Sequence, residues 1–169
     1  NVPPKNLVQV GIGGWQVPRE GVRVARERET YIITMGDMEK MGVDKTAEMA
    51  LEMAWDGVDM VYMSFDIDSI DCGFVPGTGW PEPGGFLPRE ALALASKVAA
   101  EGICGMELVE VSPPYDTSDI TARMGSRGIV DVLGAMGSNG TLGKHKVHID
   151  KPVSIPHGES EGRRWSNAP

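Results

Sequence analysis

The chain has few of the residues that place a protein on nucleic acid, in a membrane or in an oxidising compartment. Lysine and arginine together number 16 against 24 acidic residues, and the net charge of −8 argues against a nucleic-acid partner. No apolar run approaches the roughly 18 residues that a membrane span requires. The two cysteines, Cys72 and Cys104, have no C-x-x-C spacing, which favours free thiols in a reducing compartment. We therefore expect a cytoplasmic protein that binds neither nucleic acid nor membrane.

Histidine is also scarce, and its positions disfavour a metal site built on imidazole. The three histidines are His145, His148 and His157, all close to the end of the chain. His145 and His148 have H-x-x-H spacing, but they stand among lysines with few other ligands nearby. We place no metal site there.

Apolar periodicity predicts strands that alternate with helices along most of the chain. The predicted strands are 6–12, 31–35, 58–65 and 103–111, and the predicted helices are 18–28, 44–55, 87–102 and 117–136. A short helical turn before Gly42 precedes the second helix. This order predicts an α/β fold, a parallel sheet with helices on both faces, over residues 1–136. Residues 137–169, rich in glycine, lysine and histidine, are predicted to form a C-terminal tail.

The stretch that says most about function is 58–85, where an apolar run leads to Asp66, Asp68 and Asp71. The acids stand at the carboxyl end of a predicted buried strand, where open α/β sheets bind ligands. Side chains two residues apart on an extended strand point the same way, so Asp66 and Asp68 should share a face. Neighbouring carboxylates repel each other unless a cation lies between them, and a divalent metal ion is the usual one. We therefore predict a metal site at Asp66 and Asp68.

Other interpretations of these acids also fit the residues. An aspartate at a strand end often bonds the backbone of the next turn, which would make each acid purely structural. An EF-hand loop is excluded, because it needs acids at alternate positions and then glycine, and residue 70 is isoleucine. A haloacid-dehalogenase-like phosphotransferase also ends a buried strand in Asp-x-Asp, which Asp66 and Asp68 match loosely. That motif usually opens its domain, however, and here it lies in mid-chain with no paired acids on a later strand.

The loop after the acids favours one family. The sequences SFDIDSID (64–71), PGTG (76–79) and PEPGG (81–85) together closely resemble the signature of the ureohydrolase superfamily, which includes arginase, agmatinase and guanidine hydrolase. A second match, GMELVEVSPPYD (105–116), resembles the family strand that ends in Glu-Val-x-Pro, in the form of the agmatinase branch. The resemblance covers about residues 5–136 and implies the C-terminal half of a three-layer arginase-like fold.

The resemblance implies a hydrolase that releases urea from a guanidino compound by attack of a metal-bridging hydroxide. Asp66 would bridge two divalent metal ions, and Asp68 would bind one of them. Glu110 would hold the guanidinium group of the substrate, which suits paired hydrogen bonds to a carboxylate. Asp71 would be structural and bind loop amides. The family also implies Mn²⁺, or Ni²⁺ as in the guanidine hydrolase branch, and a homo-oligomer, either a trimer or a hexamer.

Trp80 departs from the arginase and agmatinase pattern, which has threonine at this position. A tryptophan at the rim of the site takes up volume and offers a flat face to a cation. With its Gly-Trp-Pro-Glu-Pro-Gly-Gly sequence the loop most resembles guanidine hydrolase. We therefore expect Trp80, with Trp15, to shorten the cavity for free guanidine. The alternatives are an agmatinase or guanidinobutyrase, and a Trp80 that faces away and packs the loop.

Two motifs of the family do not occur in this sequence. Gly-Gly-Asp-His and Asp-Ala-His-x-Asp, which supply its other metal ligands, are absent. The first predicted strand also begins almost at residue 1, as though the chain were entered in mid-fold. We therefore expect the N-terminal half of the domain to be missing here, and the chain alone to be inactive. A non-catalytic subunit with this fold is the remaining alternative, and the full sequence would separate the two.

Overall fold

The computed structural model describes residues 2–14 and 18–143, and within these ranges strands and helices alternate as the sequence predicts. The strands are β1 (Val8–Ile12), β2 (Tyr31–Thr34), β3 (Tyr62–Asp66) and β4 (Gly105–Val109). The helices are α1 (Arg19–Glu27), α2 (Met35–Ala54), α3 (Pro88–Ala100) and α4 (Ile120–Ser138). Trp15, the histidines and residues 144–169 lie outside the described residues, so the predictions about them and about the tail stay predictions. None of the described helices is long and apolar enough to cross a membrane.

The segment labelled α2 consists of two helices that meet at a kink, as the predicted short turn and the predicted second helix require. Its backbone breaks at Gly42, with φ of 80° and ψ of 165°, a conformation that suits glycine. The helix starts on a capping box, in which the Thr34 hydroxyl accepts from the Asp37 N–H and the Asp37 carboxylate accepts from the Thr34 N–H. Asp44 follows this break, and its carboxylate pairs with Lys97 of α3 at 2.9 Å. The predicted break is thus at the right residue, and the predicted second helix follows it.

The strands form two parallel pairs. β1 pairs with β2 in the register Val8–Tyr31, and β3 pairs with β4 in the register Tyr62–Gly105. The parallel orientation confirms the α/β prediction, since each pair is connected through a helix.

Helices α2, α3 and α4 lie side by side, with α2 against β1 and β2. Small residues allow α4 to lie close to the β3–β4 pair. A Cβ placed on Gly125 would lie 3.1 Å from the Leu108 side chain, and one placed on Gly128 would lie 3.1 Å from Phe65. The two glycines weaken the intrinsic helix propensity of α4, and this close packing explains why they are there.

An apolar groove separates the two strand pairs. Within the described residues, β1 pairs only with β2 and β3 pairs only with β4. The groove has a volume of about 210 Å³, and its lining includes Val8, Val10, Met63, Phe65 and Leu94. Apolar strands of a parallel sheet normally have neighbours on both edges. Edges of β1 and β3 that face each other without pairing, as among the described residues, are therefore unusual for this architecture.

The register of β1 fixes which backbone groups face the groove. The Leu7 carbonyl accepts from the Tyr31 N–H at 3.1 Å, and Val8 is the register partner of Tyr31. In a parallel pair a residue bonds to the two residues on either side of its register partner, so the Leu7 C=O and the backbone groups of Gln9 point toward β2, while the Leu7 N–H donates to the Pro4 carbonyl. The backbone groups of Val8 and Val10 therefore point toward the groove.

Candidate metal and substrate site

Asp66 and Asp68 lie together at the carboxyl end of β3, but not for the reason the sequence suggested. The strand ends at Asp66, and Ile67–Ser69 forms one turn of 3-10 helix. The Asp68 N–H donates to Asp66 Oδ1 at 3.1 Å, and the Ser69 hydroxyl donates to the Asp66 carbonyl at 2.7 Å. The premise of an extended strand through both acids was therefore wrong, and a turn brings the two carboxylates together instead.

The electrostatics of this site show an excess of negative charge. The pKa of Asp68 is raised to about 7, first by burial, then by its hydrogen bond to Asp66 and by the charges of Asp66, Glu110 and Glu82. Each of these carboxylates disfavours the ionised form of Asp68, which is the effect of like charges in a partly desolvated site. A bound cation would relieve the repulsion. The cluster of Asp66, Asp68, Glu82 and Glu110 is called the acidic cluster below.

The acidic cluster is not by itself a complete metal site. No group of three or more His, Cys, Asp and Glu side chains within residues 2–14 and 18–143 is arranged to hold a metal ion. The oxygen ligands of Asp66 and Asp68 suit a hard divalent cation such as Mn²⁺. Asp66 and Asp68 meet in one turn and repel each other, so they fit the metal that the family resemblance implies. They would be only part of its set of ligands.

Glu110 lies directly after β4 and faces the loop that follows β3. Its φ of 65° puts it in the left-handed region. Residues other than glycine rarely adopt this conformation, and those that do are concentrated at functional sites. An antiparallel bridge between Thr78 and Val111 and a 2.8 Å bond from the Ser112 N–H to the Gly77 carbonyl hold the loop beside it. A Cβ on Gly79 would lie 3.5 Å from Glu110 Oε2. The predicted metal ligands, the predicted guanidinium ligand and the glycine-rich loop therefore meet at one end of the β3–β4 pair.

Asp71 organises this loop, as the family resemblance implied. Its carboxylate accepts from the Gly73 N–H at 2.8 Å and from the Gly84 N–H at 2.7 Å. These two backbone bonds, the one from Gly84 first, lower the pKa of Asp71. The carboxylate thus ties the start of the loop to its end.

Trp80 projects from this loop, and 54% of its surface is exposed. Its indole Nε1–H donates to Glu82 Oε1 at 2.8 Å. The ring is therefore not buried in the core of the described residues, and Glu82 is its hydrogen-bond partner. The sequence did not point to a role for Glu82, although this residue stands in the Pro-Glu-Pro motif two residues after the tryptophan.

Asp116 is a second residue whose role the sequence analysis missed. It is only 6% exposed, and its carboxylate accepts from the backbone N–H groups of Thr121 and Ala122 at the start of α4. The Thr121 hydroxyl in turn accepts from the Gly77 N–H at 2.9 Å. Asp116 and Thr121 thereby anchor the glycine-rich loop to α4. An acid a few residues before a predicted helix was the available signal.

Comparison with known proteins decides the family. The model of the Arginase family matches residues 1–134. The chain belongs to the Arginase family. Proclavaminate amidinohydrolase of Streptomyces clavuligerus is 39% identical over 121 residues, which cover 72% of this chain and 38% of that protein. The agmatinase of Proteus mirabilis is 36% identical over 132 residues, which cover 78% of this chain and 40% of that protein. Among solved structures, arginase from Bacillus caldovelox superposes with a TM-score of 0.73 at 27% identity, covering 78% of this chain and 44% of that one.

Membership of the Arginase family confirms the resemblance and the fold class, and it favours a ureohydrolase over a phosphotransferase. The chain spans about two fifths of the length of the curated relatives it matches. This agrees with the expectation that a large part of the domain is not in this sequence. The individual roles of Asp66, Asp68, Glu110 and Trp80 stay predictions. The three acids and the loop that carries Trp80 meet at one end of the β3–β4 pair.

Proposed function

We propose that this chain is the C-terminal part of a metal-dependent hydrolase that releases urea from a guanidino compound, with free guanidine as the preferred substrate. The observation that carries the proposal is the acidic cluster at the carboxyl ends of β3 and β4. It combines paired carboxylates suited to metal ions with a separate carboxylate, Glu110, suited to a planar cation. Agmatine and guanidinobutyrate are the alternative substrates.

In this proposal Asp66 and Asp68 would hold divalent ions, Mn²⁺ or Ni²⁺. The chemistry such ions would supply is a lowered pKa of water and stabilisation of developing negative charge. Glu110 accepts paired hydrogen bonds from the guanidinium group and so orients its carbon toward the two aspartates. Gly79 of the loop lies beside Glu110, and a Cβ at this position would be 3.5 Å from Glu110 Oε2.

The remaining ligands would come from a preceding half of the same domain. The groove between β1 and β3 supports this proposal, because an additional parallel strand there would pair with both free edges and end beside Asp66. The described chain alone is then inactive, and the complete protein is a cytoplasmic homo-oligomer, a trimer or a hexamer.

Trp80 is the proposed determinant of substrate length. It follows Gly79, which lies against Glu110, so a ring at this position limits the space beyond the guanidinium group. Replacing Trp80 by Thr should lower the preference for guanidine over agmatine at least about tenfold, the usual effect of opening or filling an apolar pocket. An unchanged preference would show that Trp80 only packs the loop.

The experiment that tests the function uses the full-length protein. Metal content and urea release from guanidine, agmatine and guanidinobutyrate are measured together for the wild type and for Asp66→Asn and Asp68→Asn. We expect bound divalent metal in the wild type and a fall in kcat of at least about a hundredfold in both variants, since even residues that only support a metal ligand contribute up to that much. Asp59→Asn, an exposed position before β3, is the matched control and should keep full activity. A wild-type protein that binds metal but releases no urea, or that binds none, would refute the proposal in favour of a non-catalytic subunit.

A further inference from the structure

The backbone on both sides of Trp80 is fixed by bonds within the loop. The Asp71 carboxylate binds the N–H groups of Gly73 and Gly84, and the Cys72 N–H donates to the Glu82 carbonyl at 3.0 Å. The position of Glu82 is therefore set by the residues directly after the acidic turn. Its side chain is partly buried, in contrast to that of Trp80.

The Trp80 ring has little else to hold it in one orientation among the described residues. It is exposed over about half of its surface, and a tryptophan side chain has two rotatable bonds. The 2.8 Å bond from its Nε1–H to the Glu82 carboxylate selects one orientation. Because one partner is charged, this bond is stronger than a bond between neutral groups.

We propose that Glu82 is a positioning residue, which holds the Trp80 indole over the substrate site and so sets the length of substrate that the site accepts. The inference rests on the proposed guanidino hydrolase function. Glu82 does not touch the reacting atoms in this arrangement. It acts through the ring, and its loss should affect long and short substrates differently.

The hydrogen bond can be removed from either side. Glu82→Ala removes the acceptor, and Trp80→Phe keeps an aromatic ring but removes the N–H donor. Glu82→Gln keeps an oxygen acceptor at the same reach and serves as the conservative rescue. Glu39→Ala, at an exposed position on α2, controls for the loss of one negative charge.

The test compares kcat/KM for guanidine with kcat/KM for agmatine in the full-length protein. Glu82→Ala and Trp80→Phe should each lower the ratio about tenfold toward the value of Trp80→Thr, the size expected when an apolar pocket opens. Glu82→Gln and Glu39→Ala should leave it close to the wild type. In the Trp80→Thr background, Glu82→Ala should change the ratio no further, because the group it positions is gone.

A spectroscopic measurement keeps the inference testable if activity falls for other reasons. The indole N–H signal of Trp80, identified by its loss in Trp80→Phe, should shift upfield in Glu82→Ala and stay in place in Glu82→Gln. An unmoved signal, or an unchanged ratio in Glu82→Ala while Trp80→Thr alters it, would overturn the positioning role alone. No urea release from any substrate by the wild type would overturn the proposed function instead.

Discussion

Replacing Gly85 by Ala should displace the loop from the acidic turn, because the space for a methyl group is occupied by backbone. A Cβ at this position would lie 2.5 Å from the Ser69 carbonyl oxygen and 2.7 Å from the Asp71 nitrogen. Neither atom can move alone. The Phe86 N–H donates to the Ser69 carbonyl and the Asp71 N–H donates to the Phe86 carbonyl, at 2.9 and 3.0 Å. The added methyl group therefore pushes apart two segments that these bonds hold together.

The expected cost is that of forcing a methyl group into a closely packed site, about 1–3 kcal/mol, and the upper part of this range applies since the contacts are backbone. For a domain of 150–250 residues, 2–3 kcal/mol corresponds to a fall in Tm of about 4–12 °C, and in the longer full-length protein the fall should lie toward or below the lower end of this range. Activity should fall as well, because the displaced turn contains Asp68. The assay is thermal unfolding of the full-length protein, followed by circular dichroism and by urea release after heating.

Gly134→Ala in α4 is the matched control. No atom lies within 4 Å of the Cβ position there, and alanine favours a helix over glycine by about 0.8–1 kcal/mol. The control should therefore raise Tm slightly while Gly85→Ala lowers it. Equal Tm values for the two variants would refute the reasoning, since it would mean that the turn and the loop end are not packed as the structure has them.

Three further predictions concern the groove and the acidic cluster. If a strand fills the groove in the full-length protein, the amides of Val8 and Val10 should exchange with deuterium as slowly as that of Gln9. Exchange rates for Val8 and Val10 at least about a thousandfold above that of Gln9 would mean that this edge of β1 is open. In metal-free protein at pH 6, below the raised pKa of Asp68, metal binding should release a proton, so affinity should fall as pH drops from 8 to 6. Calorimetry in buffers of different ionisation enthalpy checks this, and identical heats in all buffers would contradict it. Chelation of the metal should lower the free energy of unfolding by about 2.7 kcal/mol for each bound ion, relative to metal at 100 times its Kd. The metal effect should vanish in the Asp66→Asn, Asp68→Asn double variant.

The sequence predicted the elements well where a periodic apolar pattern ran for the length of the element. Helix α3 and strand β4 are examples, with ends that differ from the prediction by about two residues. The division of α2 at Gly42 was also predicted correctly, since glycine is a normal stop signal and the backbone at this residue is not helical. A local signal was sufficient there to show where the helical backbone breaks.

Motifs in the sequence pointed to Asp66, Asp68 and Glu110 as candidate site residues. The structure brings the two aspartates together through a turn that periodicity did not suggest. Glu82 and Asp116 were missed because each acts on groups that only the folded chain brings close, an indole N–H and the first amides of α4. Hydrogen bonds of this kind leave no repeating pattern in the sequence.

The acidic cluster and the groove have one explanation in common. The carboxylates of Asp66, Glu82 and Glu110 raise the pKa of Asp68, a repulsion that opposes folding, and an apolar strand edge that has no partner among the described residues does so as well. Both lie along β3, with the groove on its free edge and the cluster at its carboxyl end. In a parallel sheet a strand that filled the groove would end at the same side as Asp66, where the proposed metal site needs further ligands. A single inserted segment would thus close the sheet and complete the proposed metal site. Folding of the whole domain and assembly of its active site should therefore be one cooperative event.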